Sequence, residues 1–347
     1  MYKHIIILLY MLLSSLIFYY FLFSQIWAKA IYLQLIYTIF SKSHLRFNFM
    51  SDYIRQHAVA IDYKLDESWI ILSEIEQSIK KKIEAVGTPL KDWDISINYG
   101  IKTGLNEAFI ISKEKRDELI KADPKSAEII RPILRGRDIK KNSIEFQDKY
   151  LIALFPAKKY EIDDYPAIKD WLINGEWVTI KTKGNPPTPT GTGRLRLEQT
   201  GARHEVDGVK FKSRKKTSNK WFETQDSINY WDDFLLPKIV WSDISTKPQF
   251  ALIDKHILIN NTAYMITRIH PGAIHILNSR LMKWYFTKIS SDLGVGSRYF
   301  KQFVELLPLP LFLENKNFYD TLSEDNTEEK LSEFYHLNQT EIRIINQ

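Results

Sequence analysis

The 347-residue chain contains no cysteine, which excludes disulfides and thiolate metal sites and is compatible with a reducing compartment. Histidine is sparse and has no metal-ligand spacing of the His-Glu-x-x-His kind: His204, His256 and His270 stand apart from such a pattern, and His275 reads as structural or surface. There is no Walker-type phosphate loop. Gly191-Thr192-Gly193 and Gly294-Val295-Gly296 are isolated turns, lacking the strand before and helix after that a dinucleotide-binding turn requires. Asp207 and Lys210 lie near each other, but metal-dependent nuclease chemistry needs paired acids beside a lysine, and this pattern is too short to be specific. No repeat of solenoid period occurs. By itself the chain reads as catalytically empty.

What is present is a core and an excess of positive charge. With 44% hydrophobic and 26% charged residues the chain suits one large or two ordinary globular domains. A net charge of +6 and a pI near 9.0 favour an anionic partner such as DNA, RNA or a membrane surface. The first segment, residues 1–50, stands apart. Ile5 to Phe23 is an uncharged apolar run long enough to cross a bilayer as a helix. Lys29, Lys42 and Arg46 follow it, so as a membrane anchor it would leave the bulk of the chain in the cytoplasm.

Residues 66–90 read as a linker helix, Ser68 to Ala85, with Ile71, Ile75, Ile79 and Ile83 at i+4 spacing, Ser68 as N-cap, and Gly87 and Pro89 as its stop. Lys80, Lys81 and Lys82 read as its solvated face. Asn98 to Lys140 is the stretch the rest is organised around. Gly100 and Gly104 would let backbone N–H groups approach a ligand, with Lys102, Thr103 and Asn106 as donors. Ser112 and Asp123-Pro124 open two short helices. Arg135 and Arg137, flanking Gly136, offer planar forks suited to phosphate or guanine edges, against the alternative of a solvated turn.

Tyr150 to Phe155 reads as a buried strand, and Tyr160 to Trp177 carries a helix. Lys181 to Lys220 is rich in turn residues and poor in large apolar ones, which predicts an exposed loop or loose hairpin. From Arg194 to Lys220, four arginines and five lysines face three acids, an excess of +6 that equals the net charge of the whole chain. Such a loop is either solvated or laid along a nucleic-acid backbone. Phe234 to Ser242 and Phe250 to Ile259 read as strands, and a helix opens at Pro271 with Ile274, Leu277, Leu281 and Trp284 or Tyr285 on one face. Residues 313–347 hold an acidic tract, expected to sit away from any nucleic acid, and a last helix capped by Asn338 and Glu341.

Several segments, in order, resemble the TaqI-like C-terminal specificity domain of type IIG restriction-modification enzymes and adenine-specific DNA methyltransferases. They are GIKTGLNEAFII (100–111), DPKSAEIIRPILRGRDIK (123–140), Trp221-Phe222-Glu223, PKIVWSDI (237–244), LNSRL (277–281) and ELLPLP (305–310). The resemblance runs from about Asp66 to the end. It implies an α+β target recognition domain over 91–312 with flanking helices; the apolar helix placed before it is read from residues 1–50 themselves. It implies double-stranded DNA as partner, Lys102, Thr103, Asn106, Arg135 and Arg137 positioning it, and Arg194, Arg196, Arg203, Arg214, Lys215 and Lys216 on its backbone or bases. Lys238, Trp241, Arg298 and Lys301 come next. In intact relatives S-adenosylmethionine and Mg²⁺ serve the catalytic domains; this chain carries no cofactor or metal site. Asn185-Pro186-Pro187 is followed by Thr188 where a methyltransferase needs a stacking aromatic ring, so it is not read as catalytic. The resemblance also offers a second reading of residues 1–50, as a non-native start on a truncated reading frame. Two rivals remain: a stand-alone specificity subunit serving a separate methyltransferase or endonuclease polypeptide, and a membrane-anchored protein of other role.

Overall fold

The computed structural model describes residues 72–179, 186–290 and 298–347. The Ile5–Phe23 run, Ser68, Asn185 and the Gly294-Val295-Gly296 turn lie outside the described residues. The described elements form an α+β structure built on two four-stranded sheets.

Sheet I is antiparallel throughout, in the order Phe250–Ile253, Lys238–Ser242, Ala263–Thr267, Ser96–Tyr99. Its strands are apolar on both faces, and the alternation divides them between two cores. Ile239, Trp241, Phe250 and Ile266 enter one, while Val240, Ala251, Ile253 and Met265 enter the other. Sheet I is thus a wall shared by both.

Sheet II runs Leu258–Ile259, Ile130–Leu134, Lys149–Ile152, Ile110–Ser112, with its first pair parallel and the others antiparallel. It packs with the helix Pro166–Asn174 and the Val240 face of sheet I. The strand expected over Phe250–Ile259 is therefore two strands in different sheets. The chain breaks between them at His256, which takes a positive φ of 77° that an uninterrupted strand cannot contain.

On the Trp241 face lie the helices. Glu74–Val86 begins at a Ser73/Glu76 capping box, not at Ser68, and buries Ile79 and Ile83. Lys80 pairs with Glu84, and Lys82 reaches the buried Glu341 of the last helix at 2.7 Å, so the lysine row is not simply a solvated face. The helix expected from Pro271 is two, Ala273–Leu277 and Arg280–Ile289, separated because Asn278 leaves helical register to bind Phe250 N and O in sheet I and Ser279 caps the second. Ser112, Asp123 and the Asn338/Glu341 capping box start their helices as their residue types predict. Among the described residues no helix is long and apolar enough to cross a membrane, and no cluster of His, Cys, Asp or Glu could hold a metal ion.

Candidate nucleic-acid interface

The glycines of the organising stretch serve packing. A Cβ on Gly100 would sit 2.0 Å from Asn260 O, and one on Gly136 would sit 2.3 Å from Thr262 O. Both therefore let the backbone close on the turn Asn260-Asn261-Thr262, which joins sheet II to sheet I. Ile101 N donates to Ile259 O at 2.8 Å and Gly100 N to Ala263 O at 2.8 Å. Thr103, expected as a ligand donor, is buried and donates to Asn106 Oδ1 at 2.7 Å. Gly104 has φ 81° and abuts Arg214 and Gln225. The segment from Gly100 to Gly104 is thus a strap between two regions, a basic ribbon and an Arg-Gly-Arg cleft.

The ribbon is the hairpin of Arg203–Val206 and Val209–Lys212, hydrogen-bonded to no other strand among the described residues. Asp207 and Gly208 turn it with φ of 48° and 75°, the two left-handed residues that a tight two-residue turn needs. Alternation then sorts its side chains. Arg203, Glu205, Lys210 and Lys212 are exposed on one face, while on the other His204 stacks on Phe211 with ring centroids 5.5 Å apart. Register sets Arg203 opposite Lys212 and Glu205 opposite Lys210.

Arg214, expected on the DNA backbone or bases, instead holds the base of this ribbon. It is buried, and all five guanidinium N–H groups are used: Nε and Nη2 on Leu197 O, Nη1 on Thr103 O and Glu223 O, Nη2 on Trp221 O, at 2.6–3.0 Å. Burial pushes its pKa down to about 9, and Glu223 opposes that shift. Immediately after it, Lys215 and Lys216 are exposed. Among the described residues, Lys102, Arg137, Arg203, Lys212, Lys215 and Lys216 have no carboxylate partner.

The other expected contacts divide. Arg135 turns its fork inward onto Asp138, with two bonds of 2.9 Å, and so braces its own turn. Lys238 is fully buried, its Nζ on Asp254 O and Ile257 O, and burial pushes the ammonium down to about 8 against the pull of Asp254. Trp241 is a core residue whose Nε1 donates to Tyr299 O at 2.7 Å. Buried as they are, Thr103, Arg214, Lys238 and Trp241 are not available to a ligand. Their residue types and neighbours suggest contact, but the segments that bury them lie far along the chain. Half-buried Arg194 lies over Trp221 and pairs with Glu198 at 3.0 Å; Arg196 lies over Trp177. Arg298 lies over Phe300, and the exposed Lys301 donates to Ile97 O. Asn106 is exposed.

The cleft lies beside the Arg135–Asp138 turn, with a volume of about 490 Å³, and includes Asn260, Gln249 and Ser245, which sequence reasoning missed. Asn260-Asn261-Thr262 is a cluster of turn formers between two apolar runs, the one signal that could have drawn attention to it.

The profile of the TaqI-like C-terminal specificity domain matches residues 131–311. No curated protein matches the chain. Among solved structures, the type IIL restriction-modification enzyme MmeI in complex with DNA aligns with a TM-score of 0.35 at 11% identity, covering 75% of this chain and 33% of that one. The type IIG restriction endonuclease BpuSI aligns with a TM-score of 0.37 at 10% identity, covering 76% and 28%. This chain therefore spans a third or less of the length of these two enzymes.

Proposed function

The chain belongs to the TaqI-like C-terminal specificity domain family, and from that premise we propose that it is a target recognition domain that binds duplex DNA at a short specific sequence. The observation that carries this reading is the ribbon. A two-stranded ribbon fits the major groove, where every base pair presents a distinct pattern of donors and acceptors. This one presents Arg203, Lys210 and Lys212 on a single exposed face, continued by Lys215 and Lys216, and its base is fixed by Arg214. Glu205, set among these cations, adds an acceptor able to discriminate against bases that offer none of their hydrogens. Lys102 and Arg137 are further exposed cations for phosphates.

Chemistry on the recognised site, adenine methylation or cleavage, is supplied by a methyltransferase or endonuclease domain or polypeptide that uses S-adenosylmethionine or Mg²⁺. The place of action is the cytoplasm. The test is fluorescence anisotropy of the full chain with labelled duplex across a salt series. Binding should weaken steeply as salt rises, and replacing Arg203, Lys210 and Lys212 by alanine should flatten the slope of log K against log salt by about 0.9 for each phosphate no longer neutralised. A chain that binds no duplex at low ionic strength would refute the reading.

A further inference from the structure

The cleft beside the Arg-Gly-Arg turn has a chemistry distinct from the ribbon's. Asn260 is 4% exposed, and its Oδ1 accepts from Thr262 N at 3.1 Å and from Thr262 Oγ1 at 2.6 Å. A backbone N–H can only donate, so the amide is fixed with its oxygen toward Thr262. Both lone pairs of that oxygen are then occupied. Its Nδ2 group is left with no partner among the described residues, in a residue that lines the cleft. Thr262 Oγ1 in turn accepts from Gly136 N at 2.8 Å, which ties the amide to the turn.

Around this fixed donor stand the exposed Arg137 and the half-buried Lys140, whose Nζ lies 3.0 Å from Arg137 O and 3.5 Å from Glu145 Oε2 outside the cleft lining. The one carboxylate inside the turn, Asp138, is neutralised by Arg135, and no acidic residue lines the cleft among those described. A site that offers donors and positive charge, with its one carboxylate already paired, disfavours cations. It suits an oxyanion. Ile244, 57% exposed on the rim, adds an apolar contact of the kind a deoxyribose accepts.

We infer that this cleft holds a backbone phosphodiester of the bound nucleic acid, with Asn260 Nδ2 and the Arg137 guanidinium donating to its oxygens and Lys140 adding charge. The inference rests on the DNA-recognition reading and assigns an anchor separate from the ribbon. Two variants of the full chain test it by duplex anisotropy across a salt series. Arg137→Ala removes an exposed cation. Asn260→Asp keeps the acceptor toward Thr262 and replaces the donor with an anion. Arg137→Ala should lower the magnitude of the salt slope by about 0.9, and Asn260→Asp should weaken binding on the order of tenfold at low salt. If Asn260→Asp fails to fold, Arg137→Ala carries the test alone.

Wild-type affinity and slope in Arg137→Ala, alongside loss of binding in the Arg203/Lys210/Lys212 variant, would overturn the cleft assignment and leave DNA recognition standing. If the wild type binds no duplex, inorganic phosphate decides. A phosphate-dependent rise in unfolding midpoint that Arg137→Ala abolishes would retain the cleft as a site for the free anion, and its absence would overturn the assignment.

Discussion

Arg214 sets a rule for the cations of this chain: a guanidinium whose five donors all meet carbonyls is a structural brace, whatever the charge of its neighbours. Arg214→Lys offers three donors on a point charge and leaves carbonyls of Leu197, Glu223 or Trp221 unpaired. It should cost about 2–4 kcal/mol in urea unfolding, since each buried group left unsatisfied costs about 1–3 kcal/mol. Unchanged stability with abolished DNA affinity would make it a ligand contact instead. Lys238 gives a pH signature. Its pKa is about 8 when folded and 10.5 when exposed, so between these values the unfolded chain holds a proton that the folded one has released. Stability should rise with pH across that window, until above about 10 the buried tyrosines, raised by burial, act in the opposite sense. Below pH 8 both states are protonated and the burial penalty is constant. Lys238→Met should therefore raise stability at pH 7 by about 1–3 kcal/mol, as replacing a buried charge by an apolar side chain often does, and flatten the rise between about pH 8 and 9, above which Arg214 contributes one of the same sign. Thermal midpoints from pH 7 to 9.5 check both.

Between elements, Gly100 is the tightest of the described glycines, set on the turn that links the sheets. Gly100→Ala places a methyl 2.0 Å from Asn260 O, where backbone must move, and should cost more than about 2 kcal/mol. Gly208→Ala meets nothing within 4 Å and should cost about 1 kcal/mol through its φ of 75° alone. Denaturant midpoints of the two variants separate packing from backbone strain. The same contrast explains what the sequence discloses. Helix starts at Ser112, Asp123 and Asn338 are legible because a cap is made within three residues. The start at Ser73 is displaced to Ser68 in the sequence pattern because the isoleucine spacing extends upstream of the cap. The break at His256 is invisible there, because both halves of 250–259 are apolar and alternation cannot name the sheet a strand joins. Gly100 and Gly136 are recognisable as points of close approach, but what approaches is the 260–262 turn, more than 120 residues away in sequence. The hairpin is legible from Asp207-Gly208, whereas the different roles of Arg135, Arg137, Arg203 and Arg214 depend on tertiary partners that no local pattern specifies.

Across the described molecule, sheet I couples two cores, since neighbouring residues of the Lys238–Ser242 strand point into different ones. The helical side is closed at its far end by Glu341, which is 2% exposed and accepts from Ser78 Oγ at 2.8 Å, Lys82 Nζ at 2.7 Å and Asn338 N at 2.8 Å. Burial raises its pKa, but these hydrogen bonds and Lys82 outweigh burial and hold the carboxyl below the usual range. Its stabilisation is therefore present above the ordinary carboxylate value of 4.5 and is lost as pH falls through the depressed one. Glu341→Ala removes a buried acceptor that ties the first described helix to the last and should cost about 3 kcal/mol at pH 7, less at pH 3. Because sheet I belongs to both cores, that loss should lower one common unfolding transition. Hydrogen exchange would read it: amides of Ile83 in the helical core and Leu151 in sheet II should accelerate together by global unfolding. Acceleration confined to Ile83 and its neighbours, with Leu151 unchanged, would mean that the helical layer unfolds independently. Neither the ribbon nor the cleft touches Glu341, so duplex affinity measured well below the midpoint should stay at the wild-type value.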